Sequence, residues 1–154
     1  MLNVVYTTLI VLICEMEFNN IASFNPRECI SGKVMRLNRL TANVFRKYLA
    51  PFNVTDSQLT LLFILSKREQ CNQKELSQIA KLEKSSLNRN LKRLVDKNYI
   101  TRKEFPQLKL THTGKIFVEK VIPEWEKAMT EIKELITEEG LNGINIALEN
   151  ISKN

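Results

Sequence analysis

From residue 26 onward the apolar positions recur at helical spacing, interrupted by one short stretch of alternation. Between Pro26 and Ala50, Ile30, Val34, Leu37, Thr41, Val44 and Tyr48 recur at steps of four and three, the stripe of a long amphipathic helix. Phe45 and Leu49 widen the stripe, Pro26 suits a first helical turn and Pro51 stops the helix. After a linker at Asn53-Val54-Thr55, Thr55 and Gln58 stand at capping-box spacing. The helix from Asp56 to Lys67 is apolar nearly all round, which predicts a central buried helix. Asn72 and Glu75 repeat the capping-box spacing ahead of a helix from Gln73 to Leu82 that should bury Leu76, Ile79 and Ala80. Past a turn at Glu83-Lys84, Ser85 or Ser86 is expected to cap a helix to Lys97, ended by Asn98. Residues 99–104 and 108–111 alternate as strands. Thr113-Gly114 opens a long helix to Glu139, kinked at Pro123 and broken at Gly140. A last helix from Leu141 to Ser152 presents Leu141, Ile144, Leu148 and Ile151.

This order predicts a mainly α fold with a small two- or three-stranded β wing: a winged helix-turn-helix with N- and C-terminal dimerisation helices. The expected organisation is an apolar extension over 1–25, a dimerisation helix over 26–52, the winged lobe over 53–113 and C-terminal dimerisation helices over 114–154. Only 4 Gly and 4 Pro in 154 residues argue against an all-β fold. The run Leu2 to Cys14 is strongly apolar, yet too short for a spanning helix, which needs ~20 apolar residues. It lacks the basic start of a secretory signal, and Ile13 stands where a lipoprotein signal wants a small residue. It reads as an added apolar segment packing on the domain, or as chain preceding a natural start at Met16. A membrane tether is a third reading resting on this run alone. The expected setting is cytoplasmic, because three cysteines (Cys14, Cys29, Cys71) spaced far apart form neither a disulfide framework nor a zinc site.

Charge sharpens the picture. Ten of the 23 Lys and Arg and four of the 17 Asp and Glu lie between Asn72 and His112, so this segment carries an excess of six, the net charge of the whole chain. A positive field confined to one helical module is the footprint of a surface that meets a polyanion. In the second helix, Leu87, Leu91, Leu94 and Val95 share one face, while Ser85, Arg89, Lys92, Arg93 and Asp96 occupy the opposite one, with Ser86 and Asn88 on the flanks. Short hydroxyls at a helix start accept a phosphate or touch a base edge, and arginine pairs with guanine O6 and N7. A charged outer face is also what any solvated helix shows; the neighbouring elements favour double-stranded DNA. The DNA-facing residues are then Lys74, Lys84, Ser85, Ser86, Asn88, Arg89, Lys92, Arg93, Arg102, Lys103 and Lys109.

The segments "QKELSQIAKLEKSSLNRNLKRLVDKNYITRK" and "LKLTHTGKIFVEKVIPEWEKA" resemble those of MarR-family transcriptional regulators. In the first, Glu83, Lys84, Ser85, Ser86 and Arg89 stand where the family has an Asp-Arg-like pair, two hydroxyls and an Arg. In the second, Leu110, Thr111, Gly114, Pro123 and Trp125 match the wing exit and the long dimer helix. The resemblance runs from about Arg27 to the C-terminus. It implies a homodimeric regulator, a repressor, whose two recognition helices read a pseudo-palindromic operator with half-sites ~34–36 Å apart. The chain departs from the family at the wing, cut to Glu104-Phe105-Pro106-Gln107 with no basic tip. The alternative function is therefore a winged-helix interaction or dimerisation module with reduced DNA binding.

The resemblance also implies control by a small ligand or an oxidant through a shift in the spacing of the recognition helices. Cys29, near the start of the first long helix, is the candidate redox sensor, since a helix N-terminus favours a thiolate; the competing reading is a small buried hydrophobe. Cys71, in the polar stretch REQCNQ, is expected to be exposed. Phe45, Tyr48 and Phe63 are candidates for a ligand pocket, though aromatics at helical spacing more often form core. No catalytic residue, metal site or cofactor is expected: the single histidine, His112, has no nucleophile or metal-ligand cluster beside it in the sequence.

Overall fold

The computed structural model describes residues 19–68, 71–103 and 106–153. The expectations placed on Leu2–Cys14, on a start at Met16 and on Glu104-Phe105 at the wing tip lie outside the described residues. The chain divides into two compact units, Met1–Arg39 and Leu40–Asn154.

The first unit holds helix α1 (Asn19–Ser23), a 3-10 turn (Pro26–Glu28) and the beginning of α2 (Ile30–Leu49). Pro26 does not open the long helix. Asn25 accepts the Arg27 N–H at 3.1 Å and donates to Glu28 at 2.8 Å, closing the turn on itself, and Cys29 is extended (ψ 108). Cys29 thus immediately precedes α2. Its carbonyl takes the Lys33 N–H at 3.1 Å, and its Sγ accepts the Gly32 N–H at 3.4 Å. Ile30, Val34, Met35 and Leu37 stand exposed on the first half of α2.

In the second unit α2 ends where Pro51 forces a 3-10 turn (Ala50–Phe52), and Asn53 reverses the chain in the left-handed region (φ 49). Helix α3 (Asp56–Lys67) begins at the expected capping box. Thr55 Oγ1 accepts the Gln58 N–H and Gln58 Oε1 accepts the Thr55 N–H, both at 3.3 Å. As its all-round apolar sequence predicts, α3 buries Leu59, Leu61, Leu62 and Leu65.

Next comes a strand that the sequence pattern does not predict, β1 (Cys71–Asn72). Asn72 is also the N-cap of α4 (Gln73–Ala80), completing the second capping box with Glu75 at 3.0 and 2.9 Å. Helix α4 stops short of Leu82, because Lys81 turns left-handed (φ 51). Leu76 is buried as expected, but Ile79 is exposed. Gln73, Ser77 and Ala80 flank Leu76 on the half-buried side, and Ile79 stands on the other.

Helix α5 (Lys84–Asp96) follows, with extended Glu83 at its N-cap, so Ser85 and Ser86 are first-turn residues rather than caps. Strand β2 (Ile100–Thr101) is shorter than predicted, and β3 (Gln107–Leu110) has the predicted length but begins one residue earlier. The sheet is antiparallel in order β1-β3-β2, pairing Cys71 with Leu108 and Ile100 with Leu110. Helix α6 (His112–Ser152) is capped by Thr111, whose Oγ1 accepts the Gly114 N–H at 2.9 Å.

One core joins these elements: Leu61, Leu62 and Leu65 of α3, Cys71, Leu76, Leu87, Leu91 and Leu94, Ile100, Leu108 and Val118. A smaller cluster gathers Leu49, Leu59 and Val121 with Phe45, Tyr48, Phe52, Phe63, Phe117 and Trp125. The fold is mainly helical with a small three-stranded sheet.

The expected break at Gly140 is displaced. The backbone stays helical through Pro123 and departs only at Thr137 (φ 66, ψ 165). Gly140 instead donates its N–H to Thr137 Oγ1 at 3.4 Å. A β-branched residue in this region of positive φ is strained by ~1–3 kcal/mol, while glycine gives up ~0.5–1 kcal/mol of chain entropy on ordering. Thr137→Gly is therefore expected to raise stability by about 1 kcal/mol net, read as a higher urea midpoint at unchanged m-value.

Candidate nucleic-acid interface

The amphipathic pattern of α5 decides which side chains are presented. Its inner face carries Leu87, Leu91 and Leu94, all sealed into the core. Ser85, Asn88, Arg89, Lys92 and Arg93 are exposed on the other side, and Ser86 is half-buried. Among the described residues, no carboxylate pairs with Arg89, Lys92 or Arg93. A guanidinium held on a rigid helix with no internal anion keeps its bidentate geometry for an outside one. Lys84 is the first residue of α5, and Lys74 is exposed in the first turn of α4. A cleft of about 330 Å³ between these helices is lined by Gln73, Lys74, Ser77 and Gln78 on one side and Lys84, Leu87 and Asn88 on the other. Gln73 spans it, donating to Asn88 Oδ1 at 3.5 Å.

The wing bases are arranged differently. Arg102 and Lys103 follow β2 and are exposed; Lys109 is half-buried on β3, where it pairs with Thr101. The structure thus gathers Lys84, Ser85, Asn88, Arg89, Lys92 and Arg93 on one helix, with Lys74 across the cleft and Arg102 and Lys103 on the hairpin.

The three aromatic pocket candidates lie in the smaller hydrophobic cluster. Phe63 meets Trp125 edge-to-face at 5.4 Å between centroids. Tyr48 donates its hydroxyl to Glu131 Oε2 at 2.6 Å, and Lys47 donates to the same oxygen at 2.8 Å. This clasp joins the end of α2 to α6. Lys47, and then Tyr48, hold the Glu131 carboxyl below its usual range, while Glu131 raises the Lys47 ammonium. Glu131 carries no sequence signal, because its partners lie far away along the chain.

Of the two thiols, Cys71 departs from its expected exposure. Cys71 is fully buried in β1 against Leu108, and its thiol donates to the Asn72 carbonyl at 3.6 Å. Burial first, then Glu75, push its pKa up. A two-residue strand has no readable periodicity, so its polar neighbours suggest a loop. Cys29 is exposed, which excludes the buried-hydrophobe reading within this chain. Maleimide labelling followed by peptide mass spectrometry should modify Cys29 in the native protein and reach Cys71 only after denaturation. Native labelling of Cys71 would contradict its burial.

Among the described residues no cluster of His, Cys, Asp and Glu is arranged to hold a metal ion, and no helix is long and apolar enough to cross a membrane. His112 is the exposed first residue of α6.

Residues 52–107 match the model of the MarR family. No curated protein matches the chain by sequence. Among solved structures, BpsR of Bordetella bronchiseptica, described with its regulation by 6-hydroxynicotinic acid, is 15% identical with a TM-score of 0.76, over 85% of this chain and 98% of that one. A cysteine-to-serine mutant of MarR from E. coli, complexed with operator DNA, is 19% identical with a TM-score of 0.72, over 84% and 97%. NadR in complex with 4-hydroxyphenylacetate is 23% identical with a TM-score of 0.70, over 81% and 96%.

Proposed function

We propose that this chain, whose residues 52–107 match the model of the MarR family, is a winged helix-turn-helix transcriptional regulator of that kind, which binds double-stranded DNA as a homodimer and represses transcription from a pseudo-palindromic operator. The observation that carries the reading is α5: a helix packed on the core through three leucines, with hydroxyls, an amide and arginines that pair with no carboxylate among the described residues on its outer face. Arg89 and Arg93 would reach base edges in the major groove; Lys74, Lys84 and Lys92 would hold phosphates. Arg102, Lys103 and Lys109 on the hairpin would add backbone contacts.

The dimer is supported by apolar surface left uncovered in a single chain. Ile30 is 77% exposed on α2, with Val34, Met35 and Leu37 beside it, and Ile151 is 75% exposed on α6, along with Leu135, Ile146 and Leu148. A second copy is the occupant we assign to these stripes.

Two modes of control fit the chain. An aromatic acid, the class bound by NadR and named for BpsR, would sit beside Phe45, Tyr48 and Phe63. An oxidant would act on Cys29, whose sulfur already takes a backbone N–H at the start of α2. Either ligand must bind the DNA-competent and incompetent forms unequally to act.

Fluorescence anisotropy on the DNA upstream of the chain's own gene, against unrelated DNA across a salt series, tests the proposal. Selective binding with a steep salt dependence is expected. Equal, weak binding to both would favour a winged-helix interaction module, the reading suggested by the short hairpin. Adding peroxide or 4-hydroxyphenylacetate to the complex then separates the two modes of control.

A further inference from the structure

Two polar side chains, Gln58 and Asn90, are buried among the described residues, and they meet. Asn90 occupies a core position of α5, on the face that also buries Leu87, Leu91 and Leu94. An amide there costs desolvation energy unless each of its groups finds a partner. Here both do. Asn90 Oδ1 accepts from Gln58 Nε2 at 3.5 Å, and Asn90 Nδ2 donates to the Ser86 carbonyl at 3.0 Å. Gln58 Oε1 in turn takes the Thr55 N–H. Hydrogen bonds therefore run from the capping box of α3 to the first turn of α5.

The leucines beside Asn90 hold α5 by non-directional packing, which several rotations of a helix about its axis can satisfy. Two amides satisfy each other in few. The difference matters for reading DNA. A rotation of roughly 20° moves a side-chain tip about 2 Å at the ~6 Å radius of a helix. A flexible lysine follows a phosphate through such a shift; a bidentate arginine–guanine contact does not survive it.

We propose that the buried Gln58–Asn90 pair is a specificity-determining positioning device, which fixes the rotation of α5 so that Ser85, Arg89 and Arg93 meet base edges. Neither residue touches DNA. The inference rests on the DNA-reading function proposed above.

The test uses duplexes enriched by the wild-type full chain from a random-sequence library, with unrelated DNA as control. The variants are Asn90→Leu and the double replacement Gln58→Met with Asn90→Leu, which leaves no buried side-chain amide unpartnered should the single change fold poorly and gives up the Gln58 bond to the Thr55 N–H. The expected result is about a tenfold or greater loss of affinity for the selected site, with unchanged affinity and salt slope on unrelated DNA. A folded variant that keeps the wild-type preference overturns the proposal. If the wild-type chain enriches no sequence, it is the DNA reading that has failed. Hydrogen exchange of the α5 amides then decides the positioning: faster exchange in the variants supports the clamp, and unchanged exchange overturns it.

Discussion

Replacing Arg89 and Arg93 together by alanine should lower affinity for the selected DNA site by about a hundredfold or more, since each bidentate base contact is worth ~1–3 kcal/mol. Both side chains are exposed and engage no carboxylate among the described residues, so the fold should be indifferent to their loss. Circular dichroism and sedimentation of the variant should match wild type. Residual binding to unrelated DNA should show a salt slope flatter by about one unit for each phosphate that the variant no longer neutralises. A variant that binds its site as well as wild type would remove α5 from the interface and leave the interaction-module reading in its place.

The largest stability effect is expected at Gly114. This residue is buried in the first turn of α6, and a Cβ built on it would lie 2.0 Å from the Tyr99 carbonyl oxygen and 2.9 Å from the carbonyl carbon. The obstacle is backbone, which cannot rotate away. The same carbonyl accepts the Thr111 N–H at 3.0 Å, and the Thr111 hydroxyl donates to the Asn98 carbonyl at 2.6 Å. Relief by movement would therefore break the cap of α6 or the exit from α5. Gly114→Ala should destabilise by about 3 kcal/mol or more, a fall in Tm of roughly 6–12 °C. A Tm within about 2 °C of wild type would show that the approach of α6 to Tyr99 is looser than this geometry.

Both capping boxes are legible in the sequence because a cap is local: Thr55 with Gln58, and Asn72 with Glu75, need only four consecutive residues to declare themselves. The core leucines of α3 and α5 are legible for a similar reason, their spacing matching the helical period. What escapes depends on partners distant in sequence. Cys71 is buried because Leu108 pairs with it, and its polar neighbours carry no trace of that pairing. Asn90 reads as one more polar residue of a basic helix until Gln58, 32 residues earlier, is placed beside it. Gly140 is the breaker that propensity favours, yet the backbone departs from the helix at Thr137, a position that propensity does not single out. At the candidate interface, residue identities and faces are readable. The cleft between α4 and α5, and the absence of carboxylates beside the arginines among the described residues, become visible only in three dimensions.

Asn72 pairs with Gln107 in the sheet while its side chain caps α4. With no spacer between them, the hairpin and α4 share one anchor. The hairpin and the start of α4 therefore move together. In the proposed dimer, a signal would then change the distance between the two lobes, but would not fold the wing away without disturbing the start of α4.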